Sequence, residues 1–227
     1  MEALFVTGTD TEVGKTVASA VLVVSARSIG LSPYVIKPAQ TGVEGSEAGD
    51  LDEVRRLAGD VPGTEGVRLR APLAPDTAAR LEGATLPGLA AQRDRVLGAA
   101  AGHLVVVEGA GGVLVPLGQH WNLLDLAQSV AHAGVTSRFV VVARAGLGTL
   151  NHTALTVQAI QHRGLDVAGV VIGSWPAAPD LAAEQNVADL PVLTGVPLLG
   201  RIPEGAGRLD TATFRALAQE WVPYPVD

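Results

Sequence analysis

The chain has 227 residues, 48% of them hydrophobic, with 23 acidic against 16 basic side chains and a net charge of −7. That balance excludes a general nucleic-acid surface, because phosphate neutralisation needs clustered Lys and Arg, and aromatic residues at 4% offer no stacking platform for single strands. With no cysteine there is neither a disulfide framework nor a thiolate nucleophile, which fits a reducing cytoplasm.

Length and apolar content suit one domain with a sizeable core over residues 1–227. Met1 and Glu2 run straight into a strand pattern instead of a basic, apolar leader. Gly, Pro or charge interrupts each apolar stretch well before membrane-spanning length. A soluble cytoplasmic protein is expected.

The first element is a short apolar strand over residues 3–8, followed by GTDTEVGKT at 8–16 and a helix over 14–30 that stops at Gly30. A glycine-bearing turn between strand and helix lets backbone N–H groups face an anion, and the helix N-terminus adds positive potential. The expected ligand is a nucleotide phosphate chain, with Lys15 on the outer phosphates and the Thr16 hydroxyl on a bridging magnesium ion. Five residues, Thr9 to Val13, separate the two glycines where the strict phosphate-loop motif has four. An ordinary strand-to-helix turn is the competing reading.

The next strand, Tyr34 to Ile36, delivers Lys37 and Pro38 into a loop, KPAQTG, at the strand end where open α/β sheets bind ligands. Otherwise Lys37 is a solvated surface lysine. Asp50, Asp52 and Glu53 open a helix over Leu51 to Leu57, where negative charge complements the helix dipole. A magnesium-nucleotide site also needs carboxylates, so one of these is a candidate ligand. Residues 61–83 read as a loop with a short helix at the rim of a substrate cleft. A helix over 86–102 then leads into the strand Leu104 to Val107, which ends in EGAGG at 108–112. Glu108 resembles the strand-end carboxylate that assists magnesium in phosphate-loop enzymes, and the glycines after it let backbone approach a ligand. The alternative is a glycine turn with a solvated glutamate.

A helix over 123–134 and a buried strand over 139–143 come next, followed by RAGLGTLNH, which turns at Gly146 and Gly148 into a helix running to about His162. The N-terminus of that helix, near Thr149 or Asn151, can hold a carboxylate. A strand from Val167 to Ile172 precedes GSWPAAP, and one near Leu198 to Ile202 precedes PEGAGRL; both loops are placed to wall a nucleotide base. A helix over 210–221 ends before VPYPVD, too proline-rich to continue it. The alternation predicts an α/β fold: a mostly parallel sheet of about seven strands, helices on both faces, and the active site at its C-terminal edge.

GTDTEVGKT, KPAQTG, VEGAGG and GTLNHT occur in the order and spacing of the dethiobiotin synthetase family, which the chain resembles over nearly its full length. The resemblance implies a homodimeric phosphate-loop enzyme of biotin synthesis that uses magnesium and ATP, with neither nucleic-acid nor membrane partner. Such an enzyme closes a cyclic urea from 7,8-diaminopelargonic acid and carbon dioxide, through a carbamate and its mixed anhydride with phosphate. By resemblance Lys15 contacts the outer phosphates, Lys37 holds the carbamate, and Thr16, Asp50 and Glu108 hold magnesium, with Asp52 close enough to Asp50 to compete for its role. Nucleotide contacts carry over to Thr11, Glu12, Val13, Gly14, Lys15, Thr16, Val17 and Glu108, and to Gly173 with Pro203, Glu204 and Gly205. Substrate contacts carry over to Thr11, Lys37 and Thr41, with Thr11 beside the reacting carbamate, and to Leu147, Gly148, Thr149, Leu150 and Asn151 of the partner subunit. One position departs from the family: an asparagine that reads adenine is replaced by Gly173 in IGSW. Glycine has no side-chain amide, so weaker discrimination among nucleoside triphosphates is expected.

Three readings compete. A partitioning or positioning ATPase of the same superfamily carries a signature lysine where this chain has Asp10. The synthetase half of an amidotransferase accompanies a glutaminase domain with a nucleophilic cysteine, and this chain has no cysteine. A non-catalytic nucleotide-binding module has no use for paired lysines and spaced carboxylates.

Overall fold

Parallel pairing requires a crossover between successive strands, and the helices supply it. The computed structural model describes residues 1–225 and contains β1 (Glu2–Gly8), β2 (Pro33–Thr41), β3 (Gly63–Leu69), β4 (Leu104–Gly112), β5 (Thr136–Ala143), β6 (Asp166–Trp175) and β7 (Leu198–Pro203). These form one sheet in the order β3-β2-β4-β1-β5-β6-β7, with every neighbouring pair parallel. Among the described residues the helices are α1 (Lys15–Ser28), α2 (Asp50–Ala58), α3 (Pro75–Glu82), α4 (Leu89–Ala100), α5 (Leu123–His132), α6 (Thr149–Gln161), α7 (Leu181–Thr194) and α8 (Thr211–Trp221).

Successive side chains of a strand point to opposite faces, so β1 feeds two cores. Leu4 and Val6 pack with Leu22, Val54 and Phe214 of α1, α2 and α8. Ala3 and Phe5 pack with Val96, Leu126 and Val157 of α4, α5 and α6. Phe5 stacks on Phe139 with ring centroids 5.3 Å apart. Covering both faces is what makes the inner strands read as unbroken apolar runs.

Three strands run further than the sequence suggests. KPAQT, EGAGG and GSW continue β2, β4 and β6 instead of forming loops. Pro38 is tolerated inside β2 because pairing with β4 stops at Ile36. The Val35 N–H donates to Pro62 O on the β3 side, so by alternation the Pro38 nitrogen faces the side that β4 has already left. No ladder bond is lost.

Residues 61–83 also differ from expectation, holding the edge strand β3 as well as the short helix α3. GTEGVRL gives little apolar periodicity because most of the strand is only half-buried. Its Gly66 approaches β2 so closely that an added Cβ would lie 1.9 Å from Pro38 O. Helix α7 was absent from the sequence reading; Asp180 caps it by accepting the Ala183 N–H at 2.7 Å, and Pro191 lies inside it. Helix α8 stops at Trp221, while Val226 and Asp227 of the tail lie outside the described residues. No described helix is long and apolar enough to cross a membrane.

Candidate active site

β1 ends at Gly8, and the chain turns through Glu12 (φ +57°) and Gly14 (φ +94°) into α1. Gly14 caps α1 with no side-chain hydrogen bond, which leaves the first-turn N–H groups open to an anion. The loop rests directly on β6. A Cβ added to Gly14 would stand 2.6 Å from Gly173 O, and one added to Gly173 would stand 2.0 Å from Val13 O and 2.6 Å from Val142 Cγ1. Position 173 therefore has no room for a side chain of any kind.

Two lysines enter the same cavity from different elements. Lys15, 8% exposed, donates from Nζ to Asp10 O at 3.0 Å. The Asp10 carboxylate in turn accepts from the Thr11 N–H and from Arg144, each at 2.7 Å. Lys37, on β2, lies 2.5 Å from Asp50 Oδ2 and 3.0 Å from Glu108 Oε1, and it donates to Gly109 O at 3.0 Å. The Thr16 hydroxyl donates to that same Glu108 oxygen at 2.9 Å.

Burial alone would lower the Lys37 pKa, but the charges of Glu108 and Asp50 outweigh it and hold the ammonium above the ordinary lysine value. Burial also opposes ionisation of Asp50; the Lys37 charge wins there too, and the carboxyl titrates below its usual range. Lys15 is left less compensated. Burial, then the charge of Lys37, pull its pKa down despite Glu108 and Asp50. A phosphate chain would restore the missing negative charge.

The two candidate aspartates separate cleanly. Gln40 Oε1 accepts the Asp50 N–H at 2.8 Å, which fixes the first turn of α2 against β2 and aims Asp50 at Lys37. Asp52 instead accepts the Gly49 N–H at 3.0 Å and pairs with Arg68 at 3.2 Å. It is a helix cap, outside the cavity.

That cavity, of about 420 Å³, is lined by Thr11, Glu12, Gly14, Lys15, Thr16, Val17, Lys37, Thr41, Asp50 and Glu108 from among the expected residues. Ala39, Gln40, Ala110 and Gly111 join them, unassigned by the sequence although they lie within its quoted motifs. An adjoining trough of about 520 Å³ shares Thr11, Thr41, Ala110 and Gly111 and runs on along Pro72, Leu73, Ala74, Pro75 and Val115. The rim expected from residues 61–83 is thus the turn before α3. Val13 is buried under the loop, and Gly173, Pro203, Glu204 and Gly205 do not line the cavity. Leu147, Gly148, Thr149, Leu150 and Asn151 line neither cavity nor trough.

A protein-family model described as an AAA domain matches residues 2–207. The ATP-dependent dethiobiotin synthetase BioD of Rhodococcus jostii (strain RHA1) is 51% identical over 223 residues, covering 97% of this chain and 94% of that protein. Its counterpart in Streptomyces coelicolor (strain ATCC BAA-471 / A3(2) / M145) is 47% identical over 228 residues, covering 100% and 94%. The chain belongs to the dethiobiotin synthetase family. Two solved structures share its fold at low identity. The ParA family ATPase from Chlorobium tepidum TLS has a TM-score of 0.57 at 10% identity, over 96% of this chain and 92% of that one. The MinC:MinD cell division protein complex from Aquifex aeolicus has a TM-score of 0.54 at 12% identity, over 96% and 86%.

Within the dethiobiotin synthetase family frame, the donor set suits magnesium. Thr16, Asp50 and Glu108 offer only oxygens, converging on one side of the phosphate loop. Magnesium takes few protein oxygens beside phosphates and water, so the lack of any cluster of three or more His, Asp or Glu among the described residues does not count against it. Ser19 is the polar group the sequence reading missed. It is fully buried, and its hydroxyl donates to Glu108 Oε2 at 2.7 Å. Its place one helical turn after Thr16 was the available signal.

Proposed function

We infer that this chain, acting as one phosphate-loop synthetase domain, is an ATP-dependent cyclo-ligase that closes the ureido ring of dethiobiotin from 7,8-diaminopelargonic acid and carbon dioxide. The observation that carries this reading is a cavity holding Lys15, Lys37, Thr16, Asp50 and Glu108 that opens into a mostly apolar trough. The polar end suits phosphates and a carbamate, and the trough suits an alkyl chain. A nucleoside-triphosphate-consuming reaction of this kind suits the cytoplasm.

Carbamate formation on one substrate amine creates an anion that must meet a second anion, the γ-phosphoryl group. Lys37 is placed to hold the carbamate, with Thr11 beside it, and Lys15 to draw charge from the transferring group. Magnesium held by Thr16, Asp50 and Glu108 would neutralise charge between the phosphates. Once a carbamate oxygen carries phosphate, its carbonyl carbon has a leaving group. The neighbouring amine attacks that carbon, the ring closes and phosphate departs.

Position 173 bears no side chain to read a base edge, so polar backbone near Gly173 and the loop at Pro203, Glu204, Gly205 and Ala206 must do so. Urea formation assayed with magnesium, bicarbonate and either ATP, CTP or GTP should give kcat/KM values within about tenfold of one another, the scale of one lost hydrogen bond. A strong preference for ATP would defeat that expectation, and no urea with any nucleotide would overturn the ligase reading.

The substrate's carboxylate needs a partner at the far end of the trough, whose lining contains no cation. A second copy of the chain is the proposed source, offering the turn Leu147–Asn151 and the open N-terminus of α6. Three observations support it. Gly148 caps α6 with no side-chain hydrogen bond. Leu147 is 92% exposed, and exposed Leu114 and Leu155 flank an apolar groove lined by residues 112–116 and α6. Val115 lines both groove and trough, so a copy seated in the first would reach the second. Charging the groove with Leu155→Glu should yield monomers whose KM for the diamino acid rises at least about tenfold. A monomer with unchanged KM would sink the shared-site proposal.

A further inference from the structure

Glu108 is 1% exposed, and among the described residues its carboxylate has three side-chain hydrogen-bond partners. Two of them, Thr16 and Lys37, bond Oε1 and line the cavity, where each has another task on the phosphate, metal or carbamate side. The third differs in kind. Ser19 bonds Oε2 at 2.7 Å, is 0% exposed, lies outside the cavity lining, and has Glu108 as its side-chain partner. A ligand in the cavity therefore meets Glu108 but not the Ser19 hydroxyl.

We propose that Ser19 is a positioning residue for metal binding: it anchors Oε2 of Glu108 so that Oε1 faces the phosphate loop when Thr16 and Lys37 turn to their ligands. Two rotations, about Cα–Cβ and Cβ–Cγ, place a glutamate carboxylate, and a third, about Cγ–Cδ, sets the plane of its oxygens. Among the described residues that hydrogen-bond this carboxylate, the Ser19 hydroxyl is the one that still fixes the plane when Thr16 and Lys37 withdraw. Helix α1 makes this possible, because positions 16 and 19 lie three apart on one face and meet the same carboxylate.

The inference rests on Glu108 being a metal ligand, so the test separates the two. Binding of Mn²⁺ in the presence of a non-hydrolysable ATP analogue is followed by electron paramagnetic resonance on the wild type, Ser19→Ala, Ser19→Cys and Glu108→Gln. Removing a group that orients a metal ligand typically weakens metal binding about 10–100-fold. Ser19→Ala should lose at least about tenfold in Mn²⁺ affinity while keeping its metal-free affinity for the analogue, and Ser19→Cys, which retains a weak donor, should fall between it and the wild type. Turnover of Ser19→Ala should recover as magnesium is raised. If Glu108→Gln weakens Mn²⁺ binding and neither Ser19 variant does, the positioning role is wrong. Equal losses of metal-dependent and metal-free affinity would also overturn it, because they report a disturbed loop. If Glu108→Gln binds Mn²⁺ like the wild type, the metal assignment of Glu108 itself fails.

Discussion

Lys37→Ala is expected to lower kcat for urea formation by about 10²–10³-fold, the usual effect of removing one preorganised electrostatic group, while nucleotide still binds. The same ammonium lies against Asp50 and Glu108, so its loss also leaves a buried carboxylate facing a half-buried one. Stripping one partner from a buried ion pair costs about 3–5 kcal/mol, although water reaches Asp50, whose side chain is 32% exposed, and trims that figure. Magnesium held with nucleotide by Asp50 and Glu108 would bring positive charge back to the carboxylates, so magnesium-nucleotide should raise the melting temperature of the variant more than that of the wild type. Calorimetry with and without magnesium-nucleotide, alongside single-turnover assays, checks both halves. Near-normal turnover would remove Lys37 from the chemistry, and loss of nucleotide binding along with turnover would make its role architectural.

Gly173→Ala should be the most damaging single-methyl change near the site. The new Cβ would fall 2.0 Å from Val13 O and 2.6 Å from Val142 Cγ1, one of them backbone and the other a core side chain. Either the phosphate loop or β6 must retreat by about 1 Å, a displacement that can cost about 10²-fold when it moves groups around a reacting centre. Overpacking of this kind also destabilises by about 1–3 kcal/mol. The expected result is a fall in kcat/KM near 10²-fold with nucleotides of every base, together with a lower urea midpoint. Gly173→Asn should behave worse still, not as a gain of adenine recognition. An alanine variant with wild-type kinetics would show that the loop has slack; an asparagine variant with restored ATP preference would show that position 173 has room for a base-reading side chain after all.

Legibility of the sequence followed local chemistry. GTDTEVGKT announced a phosphate loop because glycine, lysine and threonine between a strand and a helix have a mechanism behind them, and Lys15 and Thr16 do line the cavity. Lys37, Asp50 and Glu108 were candidates from position, each beside a bland alternative, and the family resemblance assigned their roles. What distinguishes Asp50 from Asp52 is the reach of Gln40 and Arg68 from β2 and β3, a tertiary fact with no pattern in the chain. Pro38, and the glycines after Glu108 and Ile172, read as loop punctuation and hid the true lengths of β2, β4 and β6. They continue as strand because a parallel ladder needs hydrogen bonds only on the sides where a neighbour remains. β3 and α7 were obscured for a different reason: one is an edge strand with two glycines, the other a helix interrupted by Pro191.

The parting of β2 from β4 after Ile36 and Val107 has its own mechanical meaning. Where backbone rungs stop, the Lys37 side chain crosses the gap to Gly109 O and Glu108, so the last fastening of the sheet at this edge is a clasp made of one flexible side chain. A sheet zipped along its whole length would have no opening in which to seat two carboxylates and a cation. The same opening means that any ligand drawing on Lys37 also loosens or tightens the seam. Amide exchange at Gly109 and Ala110 should therefore track occupancy of the site, making the rigidity of the sheet itself a reporter of catalytic progress.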